Sequence, residues 1–455
     1  MKTGAGMGYH QLHLNEDWGW HGISIMTVVQ VLSRAYSLNC SDKRHVAVNV
    51  NTRSLMASSS SFIVLLMVLW RGGIYANGCY PSIISFGDSI ADTGNRKQLA
   101  SISDIDFYCV PPYGQNFIGQ STGRCSNGRL IIDFLAESLG LPLIPPYFNI
   151  KGNLGGVRQG VNYAVAGSTA LNSSFIEAIS SGSSVINASL EVQLAWFKQS
   201  LPFICGNITS SDCRNFIGRA LILMGEIGGN DYNFPLYKGK TIDELQSYVP
   251  LVIDTIVSAI NELIEMGART LVVPGNFPIG CSSSFLTTYA SDKEEYDPVT
   301  GCLTNLNKFV EYHNRMLQTN LKNIRERSPN VIIIYADYYN AAMQLYRFPD
   351  KYGFTNEALE ACCGCGGPYN YNDSLKCGDV STTLCDEPDT YVSWDGVHFS
   401  EAAYKLISKS LFQGPYTIPE FYSVCPTTSI SQAGVRLSNY YININVMPKK
   451  NYYNI

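Results

Sequence analysis

The stretch Ser82-Ile83-Ile84-Ser85-Phe86-Gly87-Asp88-Ser89-Ile90-Ala91-Asp92-Thr93-Gly94-Asn95 decides the reading of the fold. Its run at 83–86 is short and mostly apolar, as in a strand buried on both faces. Gly87 then turns the chain sharply, which leaves Ser89 just past the carboxyl end of that strand. Further runs of the same kind stand at 161–166, 221–224, 270–273 and 331–335. Between and after them the apolar period changes to that of helices. Residues 130–139 place Ile131, Phe134, Leu135 and Leu139 at helical spacing. Residues 242–266 form a longer helical pattern, entered through Thr241, Asp243 and Glu244 and closed by Gly267. Residues 303–325 and 400–411 read likewise. Continuous apolar strands alternating with helices predict an α/β fold with a mainly parallel, five-stranded sheet covered on both faces. Sites in such open sheets lie beyond the carboxyl ends of the strands, which is where Ser89 falls.

The bulk composition is compatible with one large domain. The chain has 455 residues, of which 45% are hydrophobic and 15% charged, and a formal net charge of -5. A mildly acidic chain without basic runs offers no footprint for nucleic acid or an anionic membrane. Neither is expected as a partner.

Residues 56–78 read as a secretory signal peptide. Met56, Ala57 and a serine run lead into the apolar stretch from Phe62 to Trp70. That stretch is far short of the ~20 residues that cross a bilayer, so stable membrane insertion is not expected. Ala76 and Gly78 supply small residues before a cut at Cys79. The competing reading is an internal buried strand or helix. Residues 1–55, ahead of this segment, read as a non-native or disordered extension, with Met56 the functional start. Residues 79–426 then form the folded domain, and the Tyr/Asn-rich residues 427–455 a polar, disordered tail.

The cysteines agree with export. Of 14, thirteen follow the expected cut, so at least one stays unpaired within the chain. Cys205 and Cys213 flank a short polar loop, Cys281 and Cys302 a longer one. Cys362, Cys363, Cys365, Cys377 and Cys385 crowd a glycine-rich segment. Without paired C-x2-C units, disulfides are a better reading than zinc. Asn172, Asn187, Asn207 and Asn372 head Asn-x-Ser/Thr sequons and are candidate glycosylation sites. The expected location is the secretory pathway, with the apoplast first and the vacuole as the alternative.

A serine hydroxyl becomes a nucleophile when a base takes its proton, and the base needs an orienting partner. Four of the six histidines, His10, His13, His21 and His45, precede the signal segment. His313 sits within a helical pattern, where a structural role is expected. His398 ends Trp394-Asp395-Gly396-Val397-His398-Phe399, a compact turn able to bring the Asp395 carboxylate to Nδ1 and leave Nε2 for Ser89. Acyl transfer also needs donors for an oxyanion. Two segments at strand ends qualify: Asn162-Tyr163-Ala164-Val165-Ala166-Gly167-Ser168, through a backbone N–H, and Gly228-Gly229-Asn230-Asp231, through a side-chain amide. The string Gly119-Gln120-Ser121-Thr122-Gly123 also satisfies G-x-S-x-G, but its flanks read as loop rather than as a buried strand. Ser121 is set aside.

Gly87-Asp88-Ser89, Gly167, Gly228-Gly229-Asn230-Asp231 and Asp395-Gly396-Val397-His398 resemble, in order and spacing, the four blocks of the GDSL (SGNH) hydrolases, most closely the plant esterase/lipase group. The resemblance covers residues 80–425. It implies a flavodoxin-like three-layer α/β/α fold and ester hydrolysis with no metal or cofactor. It implies Ser89 as nucleophile and first oxyanion N–H, Gly167 as second N–H and Asn230 as side-chain donor. His398 would be the base and Asp395 its orienter. The block from Gly225 to Asn233 resembles the subgroup containing sinapine esterase and acetylajmalan esterase. The expected partner is therefore a small-molecule ester of a specialised metabolite, met by a monomer. Acyl lipids or wax esters are the alternative substrates, and a non-catalytic secreted binding glycoprotein is the alternative of another class.

Overall fold

The run after Ser82 forms strand β1 (Ile83–Ser85), all of it buried. It pairs in parallel with β2 (Gly160–Asn162) on one side and β3 (Leu221–Leu223) on the other. β4 (Thr270–Pro274) and β5 (Ile332–Ala336) extend the sheet in parallel beyond β3. Two short strands, β6 (Cys363–Gly364) and β7 (Thr383–Leu384), pair with each other outside it. β8 (Thr417–Ile418) adds to the edge of β5 in the antiparallel sense. The strand order is β2-β1-β3-β4-β5-β8. The computed structural model describes residues 79–99, 111–117, 119–150, 157–181, 185–205, 211–291, 293–355 and 358–426. The expectations for residues 1–55, 56–78 and 427–455 lie outside the described residues, as does Asn207.

The sheet thus has six strands where five were expected. β8 escapes a reading of apolar runs because it is two residues long in a polar segment, with Thr417 buried and Ile418 exposed. Only the free edge of β5 makes it a strand. Residues 163–166 leave the ladder, yet the Tyr163 N–H still donates to the Ser85 carbonyl at 2.7 Å and the Val165 N–H to Gly87 at 3.1 Å.

Helices cover both faces. They include α1 (Ile131–Ser138), α2 (Leu190–Ile204), α3 (Asn230–Tyr237), α4 (Val249–Met266), α5 (Thr304–Arg327), α6 (Tyr338–Arg347) and α7 (Glu401–Phe412). α4 packs against α2 and α5, whereas α7 packs against α1 and α6. α4 buries Val249, Val252, Ile253, Ile256, Ala259, Ile260 and Leu263, an apolar stripe one helical face wide. Each fully buried Ile or Leu contributes roughly 1.5–3 kcal/mol. The single helix expected over 242–266 is two, Ile242–Gln246 and α4. Pro250 has no N–H to give an earlier carbonyl, so a new helix starts there. Thr241 and Glu244 form a capping box at the first, and Gly267 caps α4 at a φ of 118°.

Disulfides join Cys205 to Cys213, Cys281 to Cys302, Cys362 to Cys385 and Cys363 to Cys377. A further bond, Cys79–Cys425, links residues 346 apart in sequence. Cys365 has no disulfide partner among the described residues.

Candidate active site

β1, β2 and β3 are the three strands around the point where strand order reverses, and each delivers one sequence-singled segment to the same rim. Ser89 follows β1, Gly167 follows β2 and Asn230 opens α3 after β3. Asp92 locks the first of these turns. Its carboxylate accepts from the N–H groups of Gly94, Asn95 and Arg96, and from Ala166 at 2.8 Å, which ties the turn to the Gly167 segment. Asp231 holds that segment from the other end by accepting from the N–H groups of Ala170 and Leu171, both at 2.8 Å. Gly167 has a φ of +81°, and a Cβ there would meet its neighbours at ordinary contact distances of 3.8–4.0 Å, so glycine is needed for conformation rather than room.

Asp395 and His398 arrive from the turn before α7. Asp395 Oδ1 accepts from the backbone N–H groups of Val397 and His398 at 2.9 and 2.7 Å, and Oδ2 meets His398 Nδ1 at 2.7 Å. His398 Nε2 lies 2.9 Å from Ser89 Oγ. All three side chains are buried. Burial pushes the Asp395 carboxyl up. The charge and hydrogen bonds of His398, with a bond from Tyr113, outweigh it and hold the group below the ordinary carboxylate range. Gly396, at a φ of +87°, lies against the ring of Tyr371, so a Cβ there would be both strained and crowded. The disulfide-tied segment braces this turn through the Cys362 N–H on Ser393 O and the Cys363 N–H on Trp394 O, at 3.1 and 2.7 Å.

These groups open into a cavity of about 500 Å³. Ser89, Gly167, Asn230 and His398 line its floor side, with Ile90, Phe277 and Phe285 among the apolar walls. Its size is in the range of small-molecule sites. A hydroxyl against an imidazole that is itself held by a carboxylate can lose its proton to attack a carbonyl carbon.

Asn230 lines the cavity, and its amide is occupied. Nδ2 donates to Asp88 Oδ2 at 3.1 Å and to Ser168 O at 3.0 Å. Tyr113 and Glu226 were not singled out from the sequence as site residues, yet both line the cavity. Tyr113 lies 282 positions from Asp395, and only the fold brings its hydroxyl to Oδ2 at 2.8 Å. Glu226 had a usable signal: a carboxylate in a glycine-rich turn directly after an apolar strand.

Ser121 belongs to a loop, where its hydroxyl donates to Tyr113 O at 2.9 Å. His313 is fully buried in α5, its Nδ1 2.8 Å from Tyr232 Oη. Burial pushes it down to about 3, so it stays neutral. Asn172, Asn187 and Asn372 are exposed, and Asn372 stands at the wall of the cavity.

The model of the GDSL-like lipase/acylhydrolase family matches residues 83–411. The chain belongs to this family and is a carboxylic ester hydrolase. It is similar to a GDSL esterase/lipase of Arabidopsis thaliana that is 55% identical over 352 residues, 77% of this chain and 86% of the relative. A second Arabidopsis thaliana GDSL esterase/lipase is 52% identical over 388 residues, 85% of this chain and 97% of its own.

Proposed function

We propose that the protein is a secreted serine esterase for small acylated specialised metabolites, with Ser89 as nucleophile, His398 as base and Asp395 as its orienter. The observation that carries this reading is the pair of contacts at His398, 2.9 Å to Ser89 Oγ and 2.7 Å to Asp395 Oδ2, at the floor of the cavity. Ser89 Oγ forms a bond to the ester carbonyl carbon while His398 Nε2 takes its proton. The backbone N–H groups of Ser89 and Gly167, and the Asn230 amide once it turns from its resting partners, donate to the oxyanion. The C–O bond to the alcohol then breaks, and His398 returns the proton to the leaving oxygen. Water repeats the sequence on the acyl-enzyme: it gives a proton to His398, the acid leaves, and the proton ends on Ser89.

The cavity of about 500 Å³ mixes polar and apolar walls, which suits a small ester better than a triacylglycerol. The sinapine esterase-like block around Asn230 supports the same substrate class. Five disulfides and three exposed sequons among the described residues support passage through the secretory pathway, with residues 56–78 as the proposed signal.

A p-nitrophenyl ester panel from acetate to palmitate, run on wild type and Ser89→Ala, tests the reading. Short-chain turnover by wild type and none by the variant is expected. A long-chain preference would move the substrate to acyl lipids, and a fully active Ser89→Ala would overturn the mechanism.

A further inference from the structure

Two carboxyl groups meet beside the proposed nucleophile without a cation. Asp88 and Glu226 are both buried and line one cavity, with the Asp88 N–H on the Glu226 carbonyl at 3.0 Å and the two carboxyl groups within hydrogen-bonding reach of each other. Among the described residues, no ion pair includes either group. A hydrogen bond between two carboxyls requires a proton, since neither carboxylate has one to give. Asp88 Oδ1 is taken by the Ile90 N–H at 3.0 Å, and Oδ2 by the Asn230 amide at 3.1 Å. Glu226 in turn accepts from the Gly229 N–H, the residue before Asn230. The pair therefore grips the amide assigned above to the oxyanion.

We propose that Asp88 and Glu226 share one proton, and that this proton sets how tightly Asp88 holds Asn230. This rests on the esterase reading above. While the proton is present, Asp88 is a neutral, weak acceptor and the Asn230 amide can turn its N–H to the developing oxyanion. When it leaves, Asp88 becomes an ionised acceptor, whose hydrogen bonds are roughly twice as strong, and keeps the amide. Asp88 and Glu226 are positioning residues acting through Asn230. Burial and then the Glu226 charge hold the Asp88 proton well above the ordinary carboxyl range. The other titratable groups facing the pair are Asp231, His398, Tyr338, Tyr404 and Tyr232. Asp231 is pushed up to about 7 by burial and titrates as a separate group.

The test is kcat for p-nitrophenyl butyrate against pH in wild type, Glu226→Gln and Asp88→Asn. Wild type is expected to lose kcat on an alkaline limb at little change in KM. Glu226→Gln donates to an Asp88 that stays ionised, so its kcat is expected to be low throughout, by up to about 10²-fold, with no alkaline limb. Asp88→Asn mimics the neutral acid and is expected to exceed Glu226→Gln and stay flat into alkali. An alkaline limb that persists in both variants, or is missing from wild type, overturns the proposal. The infrared carboxylic-acid C=O band, followed against pH, gives a readout free of turnover. In wild type a band is expected to fade along the same limb as kcat and to be missing from Glu226→Gln, and a wild type with no band fading along that limb also overturns the proposal. Failure of wild type to hydrolyse any ester would sink the esterase reading and leave the band to decide the shared proton.

Discussion

Tyr113 Oη donates to the same Asp395 oxygen that faces His398 Nδ1, at 2.8 and 2.7 Å. Tyr113 also packs edge-on against the buried Trp394, at 5.9 Å between ring centres. The phenol therefore holds the very oxygen that faces the imidazole. A hydrogen bond to a charged group contributes about 1.5–3 kcal/mol. Tyr113→Phe is expected to keep the fold and lower kcat roughly tenfold at similar KM on a p-nitrophenyl ester. An unchanged kcat would reduce Tyr113 to a packing residue.

Asn230→Ala removes the proposed side-chain donor to the oxyanion and leaves the proposed backbone donors. Losing one such donor costs ~10²–10³ in kcat. The variant is expected to react with a fluorophosphonate slowly and to fold normally by circular dichroism. Wild-type turnover would remove Asn230 from the mechanism.

His313 predicts an acid weakness in the fold. Its folded value of about 3 lies below the ordinary 6.5, because burial disfavours the charged ring. Stability from a depressed group is full above the unfolded value and is lost as pH falls below it. Near pH 4.5 the loss is about 3 kcal/mol, at 1.36 kcal/mol per pH unit. His313→Gln is expected to start less stable at neutral pH and to lose less on acidification. Equal acid slopes in both proteins, read by thermal melts, would contradict this.

The Cys363–Cys377 bond closes a short loop in the cavity wall, beside the backbone contact from Cys363 to Trp394. A loop of about 15 residues is stabilised by roughly 3 kcal/mol when cross-linked. Removing both cysteines by serine substitution should lower the melting temperature and reduce kcat/KM together. A lower melting temperature with unchanged turnover would show that the Asp395 turn holds its shape unaided.

The layered α/β architecture was legible because β3, β4 and β5 are nearly continuous apolar runs and because α1, α4, α5 and α7 keep their helical period. The same reading placed Ser89, Gly167 and Asn230 on one rim, since all three follow strands of one sheet. Contacts supplied from far along the chain left no local trace. Tyr113 stands in a loop with no pattern pointing to residue 395, and β8 exists only because β5 has an open edge. The break before α4 was marked by Pro250 but was hidden under a continuous apolar period. The occupied state of the Asn230 amide depends on where Asp88 and Ser168 O sit in space, which no spacing encodes.

The Cys79–Cys425 bond turns the described domain into a covalent ring, its two ends 5.6 Å apart at their Cα atoms. A single proteolytic nick in a surface loop would open that ring without releasing a piece. The ring closes only after residue 425 has been synthesised, so this bond must follow nearly the whole of translation. Any modules fused at the two ends would leave the domain from one point on its surface, side by side.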